Sequence, residues 1–178
     1  MFTLSTHRLR LIPLNLSQLR LLRQDRQLLE QKLGLQPSNM VMDKVIAEEI
    51  RDAMYFWELS IVEDHVNYPW HTTWEIILLA ENRSIGNVGL SGLPDEKGET
   101  GVGYSIDLNY HNRGYMTEAL KALMQWAFQN IKLKRILAET NASNFPSHRV
   151  LEKCGFHIIE NPTDDGGIMW SKNSYLNN

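Results

Sequence analysis

Tyr110-His111-Asn112-Arg113-Gly114-Tyr115-Met116-Thr117-Glu118-Ala119-Leu120 runs from a polar, glycine-containing turn straight into an amphipathic helix. A strand-like segment, Gly101 to Leu108, comes just before it. A helix start carries N–H groups with no intrahelical partner, and its dipole favours negative charge. Asn112 to Thr117 is therefore a candidate cradle for a phosphate or pyrophosphate. Gly114 lets the main chain approach a ligand with no side chain in the way. Arg113 can add a charge-assisted contact. The same residues also suit an ordinary strand-to-helix turn, and on their own they leave both readings open.

Working outward, Gly114 to Ile131 predicts a helix with Leu120, Leu123, Met124, Ala127 and Phe128 on its apolar face. Upstream, Trp74 to Leu79, Ser84 to Leu90 and Glu99 to Leu108 read as strands. Glu81-Asn82-Arg83 and Pro94-Asp95-Glu96-Lys97-Gly98 are the turns between them, which predicts an antiparallel meander. Downstream, Arg135 to Glu139 is a strand and Asn144 to Lys153 a helix, with Pro146 in its first turn and Gly155 as a left-handed cap. Phe156 to Ile159 and Ile168 to Lys172 close the chain as strands. At the front, Thr6 to Leu14 is a strand. One helix follows, capped by Asn15 or Ser17, with Leu16, Leu19, Leu22, Leu29 and Leu33 buried and Gly34 and Pro37 ending it. A second helical region, Asp43 to His65, buries Val45, Ile46, Ile50, Met54, Trp57 and Ile61, and sets Glu48, Asp52 and Glu63 on its other face. The expected class is α+β: a mixed, mostly antiparallel central sheet flanked by helices, in a single domain over residues 1–178.

The 178 residues are enough for one sizeable core, and 43% hydrophobic with 22% charged residues is ordinary for a globular chain. A net charge of −3 argues against a general nucleic-acid binder. The longest apolar runs, such as Ile76 to Ala80, are too short to span a bilayer. No secretory leader is read, and a single cysteine cannot form an internal disulfide, so a cytoplasmic setting is expected. Cys154 reads as a core thiol at a helix end. The six histidines offer no helical i, i+4 ligand pair, so no metal site is expected.

Two segments resemble the GNAT superfamily of N-acetyltransferases. His111 to Met116 stands where that family has Arg/Gln-x-x-Gly-x-Gly/Ala, and Gly114 to Ala119 is similar to its ribosomal-protein N-terminal acetyltransferase subgroup. Asn144 to Phe156 is similar to the subgroup's Asn-x-x-Ser-x-x-x-x-x-Lys-x-Gly-Phe, with Asn144, Ser147, Lys153, Gly155 and Phe156 in place. Thr6 to Leu11 looks like its opening strand. The resemblance implies a GNAT fold and an acetyl-CoA-dependent N-acetyltransferase. Acetyl-CoA would be held by Asn112, Arg113, Gly114, Tyr115, Met116 and Thr117, by main-chain groups from Ile106 to Leu108, and by Asn144. Asn144 reads equally as a helix cap. The chain departs from the pattern at His111 and Met116. Leu151 stands where relatives have a proton-donating tyrosine, and Gly101 where many have a glutamate.

Acyl transfer needs a neutral amine, a polarised thioester carbonyl and a proton for the leaving sulfur. Ser147 is the candidate donor by resemblance, and Glu99, on the strand face of Gly101 and Gly103, is the candidate base acting through water. Each has a plain alternative, a first-turn serine and an exposed turn carboxylate. At pH 7 roughly a tenth of α-amines are neutral, against about one lysine in 2,500. A weak base therefore favours a protein or peptide N-terminus as acceptor. Neither nucleic acid nor membrane is expected as a partner, and a homodimer is left open. Competing readings are an acetyl-CoA-binding module without catalysis, a small-molecule amine acetyltransferase and a phosphate-binding interaction domain.

Overall fold

The structure, a computed structural model, describes residues 2–160 and 166–174. One eight-stranded sheet organises it, in the order β1-β2-β3-β4-β5-β6-β8-β7. The strands are β1 (Leu4–Ser5), β2 (Leu9–Pro13), β3 (Thr73–Leu78), β4 (Arg83–Leu90), β5 (Glu99–Ile106), β6 (Arg135–Asn141), β7 (His157–Glu160) and β8 (Gly167–Asn173). Every neighbouring pair is antiparallel except β5 with β6. The predicted class and the β3-β4-β5 meander are as expected. Two features at the edges differ. Leu4–Ser5 folds back on β2 as a short first strand, and β8 inserts between β6 and β7.

The helices are α1 (Leu16–Gln24), α2 (Arg26–Leu33), α3 (Lys44–Glu63), α4 (Tyr115–Ala127) and α5 (Phe145–Lys153). The single helix expected over Leu16 to Leu33 is two. Asp25 is extended (φ −163°, ψ 126°), and its side chain accepts from the Gln27 amide, so one residue ends α1 and caps α2. Asn15 rather than Ser17 caps α1, in a capping box with Gln18. α4 stops at Ala127, short of Ile131. In α3, Met54 and Ile61 are buried as predicted, whereas Val45 is exposed.

Helices cover both faces. Leu9, Leu11, Trp74, Ile76, Val88, Leu90 and Val102 pack with Leu120, Leu123, Met124 and Leu151, so α4 and α5 lie on one face. Leu14, Leu19, Leu22, Leu29, Met54 and Ile61 form a second cluster joining α1, α2 and α3. The polar residues Glu75, Asn87 and Ser105 are cross-strand neighbours in one row on β3, β4 and β5.

Candidate active site

β5 and β6 pair in parallel only over Glu99↔Arg135, Thr100↔Ile136 and Gly101↔Leu137. Beyond that, β5 stays on β4 as far as Ile106 and β6 stays on β8 as far as Asn141. The two strands therefore part like a wedge in the middle of the sheet. The Gly101 carbonyl accepts from the Ser91 amide (3.0 Å), and the Asp107 amide donates to the Ile85 carbonyl (2.9 Å). Antiparallel alternation then turns the main-chain groups of Val102, Tyr104 and Ile106 away from β4; Val102 still meets β6 at the last paired position, and those of Tyr104 and Ile106 open into the wedge. His111 Nε2 lies 3.1 Å from the Ile106 carbonyl. A carbonyl only accepts, so this nitrogen carries the proton.

A cleft of about 1070 Å³ fills the wedge. Tyr104, Ser105 and Ile106 line it, with the turn from Leu108 to Asn112, the start of α4 and the first turns of α5. Its charges are divided between the two faces of the sheet. Asp43 and Glu49 come from the start of α3, with Glu139 from β6, while Arg149 and Lys153 come from α5.

The start of α4 stands apart. Side chains cap α1, α2, α3 and α5, namely Asn15, Asp25, Asp43 and Asn144. α4 begins after Gly114 in a left-handed conformation (φ 77°) with no side-chain cap bond. Asn112 is left-handed too (φ 58°). The first α4 amides are thus free for a ligand. Met116 is buried in the core, so its side chain does not narrow the turn.

This turn is braced from below. The Thr6 hydroxyl donates to Glu118 Oε1 (2.6 Å), as does the Arg8 amide (3.0 Å), and Arg8 Nε donates to Oε2 (2.7 Å). Arg8 Nη1 donates to the Arg113 carbonyl (3.1 Å), and its guanidinium lies 4.5 Å from the Tyr115 ring centre. Partial burial works against the Glu118 charge, but the Thr6 hydroxyl and the Arg8 amide and guanidinium outweigh it and hold its pKa below the ordinary value. The folded carboxyl is then the stronger acid. Its contribution is complete above the unfolded pKa of roughly 4.3 and is lost as pH falls through the lower folded value. Glu118→Gln should therefore flatten the acid limb of thermal stability below about pH 4, read by a melting series from pH 3 to 7.

The structure brings together Ile106, Leu108, Asn112, Gly114, Tyr115, Met116, Thr117, Asn144 and Ser147 on the cleft. Three expectations change. The Leu108 amide donates to the Val41 carbonyl (3.0 Å), which leaves Ile106 as the inward N–H of that pair. Arg113 is exposed, stacks 5.5 Å from the Tyr110 ring centre and does not line the cleft. Glu99 sits at the closed end of the wedge in a salt bridge to Arg135, away from the cleft lining. A Cβ at Gly101 would meet Ser91 Oγ at 2.6 Å, so a side chain there would require the Ser91 hydroxyl to turn away. Asn144 caps α5 through the Ser147 amide (3.2 Å). Burial pushes the Cys154 thiol up to about 11, as suits a core residue. Sequence reasoning passed over Tyr104, whose hydroxyl lies 2.7 Å from Ser147 Oγ. Among the described residues no helix is long and apolar enough to cross a membrane.

Known proteins carry the same plan. The family model for the acetyltransferase (GNAT) domain matches residues 8–157. The probable N-acetyltransferase YjcK of Bacillus subtilis is 31% identical over 134 residues, 72% of this chain and 74% of that one. The uncharacterized N-acetyltransferase YjdG of the same organism is 32% identical over 84 residues, 47% of this chain and only 50% of that one. RimL, a ribosomal L7/L12 α-N-protein acetyltransferase solved in complex with coenzyme A, superposes with a TM-score of 0.67 at 18% identity, over 97% of this chain and 98% of its own. A parted pair of parallel strands, an uncapped helix start beside it and a matching family model together make this chain a member of the GNAT acetyltransferase family.

Proposed function

We propose that the chain is a cytoplasmic acetyl-CoA-dependent N-acetyltransferase whose acceptor is a protein or peptide N-terminal α-amine. The uncapped α4 start on a cleft with oppositely charged walls carries the reading. The amides of Tyr115, Met116 and Thr117 would hold the pyrophosphate, with Arg149 and Lys153 supplying positive charge from α5. Hydrogen bonds to charged groups contribute roughly 1.5–3 kcal/mol each, so a few account for much of the roughly 8 kcal/mol of micromolar binding. The inward main-chain groups of Tyr104 and the Ile106 amide offer the pantetheine arm an open strand edge, while the Ile106 carbonyl is already held by His111. Acetyl-CoA supplies the thioester; the Ile106 amide is placed to polarise its carbonyl.

The acidic wall suits a substrate that arrives as an ammonium. Glu139, a cleft carboxylate on β6, takes the water-linked base role in place of the salt-bridged Glu99. A base this exposed suits an α-amine, already partly neutral near pH 7, better than a lysine. The α-N activity named for RimL supports the same acceptor class.

Thiol release from acetyl-CoA over a panel of peptides tests this. Turnover should need a free N-terminus and vanish when it is blocked, even with lysine present. Binding without turnover on any acceptor would instead make the chain a coenzyme-binding module. Ser147→Ala should lower kcat roughly tenfold, the weight of one hydrogen bond, with acetyl-CoA affinity unchanged in calorimetry. Equal kcat would remove Ser147 from the mechanism.

A further inference from the structure

We propose that Tyr104 is a positioning residue that fixes the Ser147 hydroxyl as a hydrogen-bond donor toward the departing sulfur. The inference rests on reading Ser147 as the proton donor of the transfer. Tyr104 leaves β5 on the face covered by α5, and its phenol oxygen reaches Ser147 Oγ at 2.7 Å. It also lies 3.3 Å from the Ser147 carbonyl, a longer contact that competes with Oγ for the phenol's one proton. Both residues line the cleft.

A serine hydroxyl has one proton and two lone pairs, and in a first helical turn it readily spends the proton on nearby backbone. Among the described residues Ser147 Oγ has no hydrogen-bond partner other than Tyr104. If the phenol donates into Oγ, it occupies a lone pair and leaves the serine proton to point into the cleft. Burial, the largest influence, pushes the Tyr104 ionisation well above the ordinary phenol value. The phenol therefore stays a donor across the working pH range.

The proton balance closes without Tyr104 ionising. The amine nitrogen bonds to the thioester carbon, the carbon–sulfur bond breaks, and its electron pair stays on sulfur. Ser147 hands sulfur its proton and is reprotonated, through cleft water, by the proton that the new amide nitrogen sheds. Tyr104 keeps its own proton throughout, and its donated bond steadies the oxygen while Ser147 is giving.

The test is a mutant cycle on kcat with the best peptide acceptor. Tyr104→Phe should lower kcat roughly tenfold, with KM for acetyl-CoA within about twofold, and Ser147→Ala should do the same. The double variant should be no slower than Ser147→Ala, because Tyr104 acts only through that oxygen. A wild-type kcat in Tyr104→Phe beside a slow Ser147→Ala overturns the proposal and leaves the Ser147 reading standing. Multiplying losses also overturn it. A wild-type kcat in Ser147→Ala overturns both. Should Tyr104→Phe not fold, 3,5-difluorotyrosine at position 104 keeps the shape and lowers the phenol pKa. Its kcat should then fall at alkaline pH where the wild type stays level, and a level profile overturns the proposal.

Discussion

Gly114→Val is expected to weaken acetyl-CoA binding about a hundredfold in isothermal titration calorimetry while the protein still folds. Gly114 has φ 77°, a region where a side chain costs roughly 1–2 kcal/mol and a β-branched one is worst placed. The chain can relieve that strain by turning the adjoining peptides, which swings the Tyr115 and Met116 amides off their common target. Losing one or two charge-assisted bonds at roughly 1.5–3 kcal/mol each gives the hundredfold, since about 1.4 kcal/mol is tenfold. The fold should persist because Gly114 is exposed and an added Cβ would meet only Arg8 Nη2, at 3.6 Å. Gly114→Ala should show the same effect at smaller size. Unchanged affinity in the valine variant would end the case for a pyrophosphate site at this turn.

What could be read from the residues was whatever is local. The glycine turn, the α4 face, the Asn144 cap and the meander turns each depend on neighbours in the chain, and each stands in the structure. The break at Asp25 was local as well, but an unbroken leucine stripe hid it. Its cue was an aspartate two residues before the amide it caps. The wedge was not legible from neighbouring residues, because it depends on β6 staying on β8, a partner distant in the chain, after its pairing with β5 stops at Leu137. Glu99 shows the same limit. Strand alternation put it on the face of Gly101 and Gly103, but only the parallel register shows Arg135 beside it. Tyr104 alternates with Val102 as a core residue would, and its one cue was the hydroxyl. A buried tyrosine finds a partner for that group, and here the partner lies on an element 43 residues away.

Arg26→Met is expected to have the largest effect on stability. The Glu75 side chain is 1% exposed and is held by Arg26 Nη1 at 3.0 Å, by Nη2 at 3.4 Å and by the Ser84 hydroxyl. Arg26 opens α2, where the helix dipole disfavours a cation. Burial also works against its charge, yet Glu75, with Glu30 adding to it, raises its pKa above the ordinary value, so the attraction outweighs the desolvation. Methionine would fill the space and leave a buried carboxylate with one hydroxyl donor. Breaking a buried pair from one side costs roughly 3–5 kcal/mol, and at about 2–4 °C per kcal/mol the melting midpoint should drop by roughly 6–20 °C. Arg26→Met with Glu75→Met should recover most of the loss, because no buried charge is left unpaired. A single variant as stable as wild type, or a double variant no better than the single, would mean that this pair does not hold α2 to the sheet.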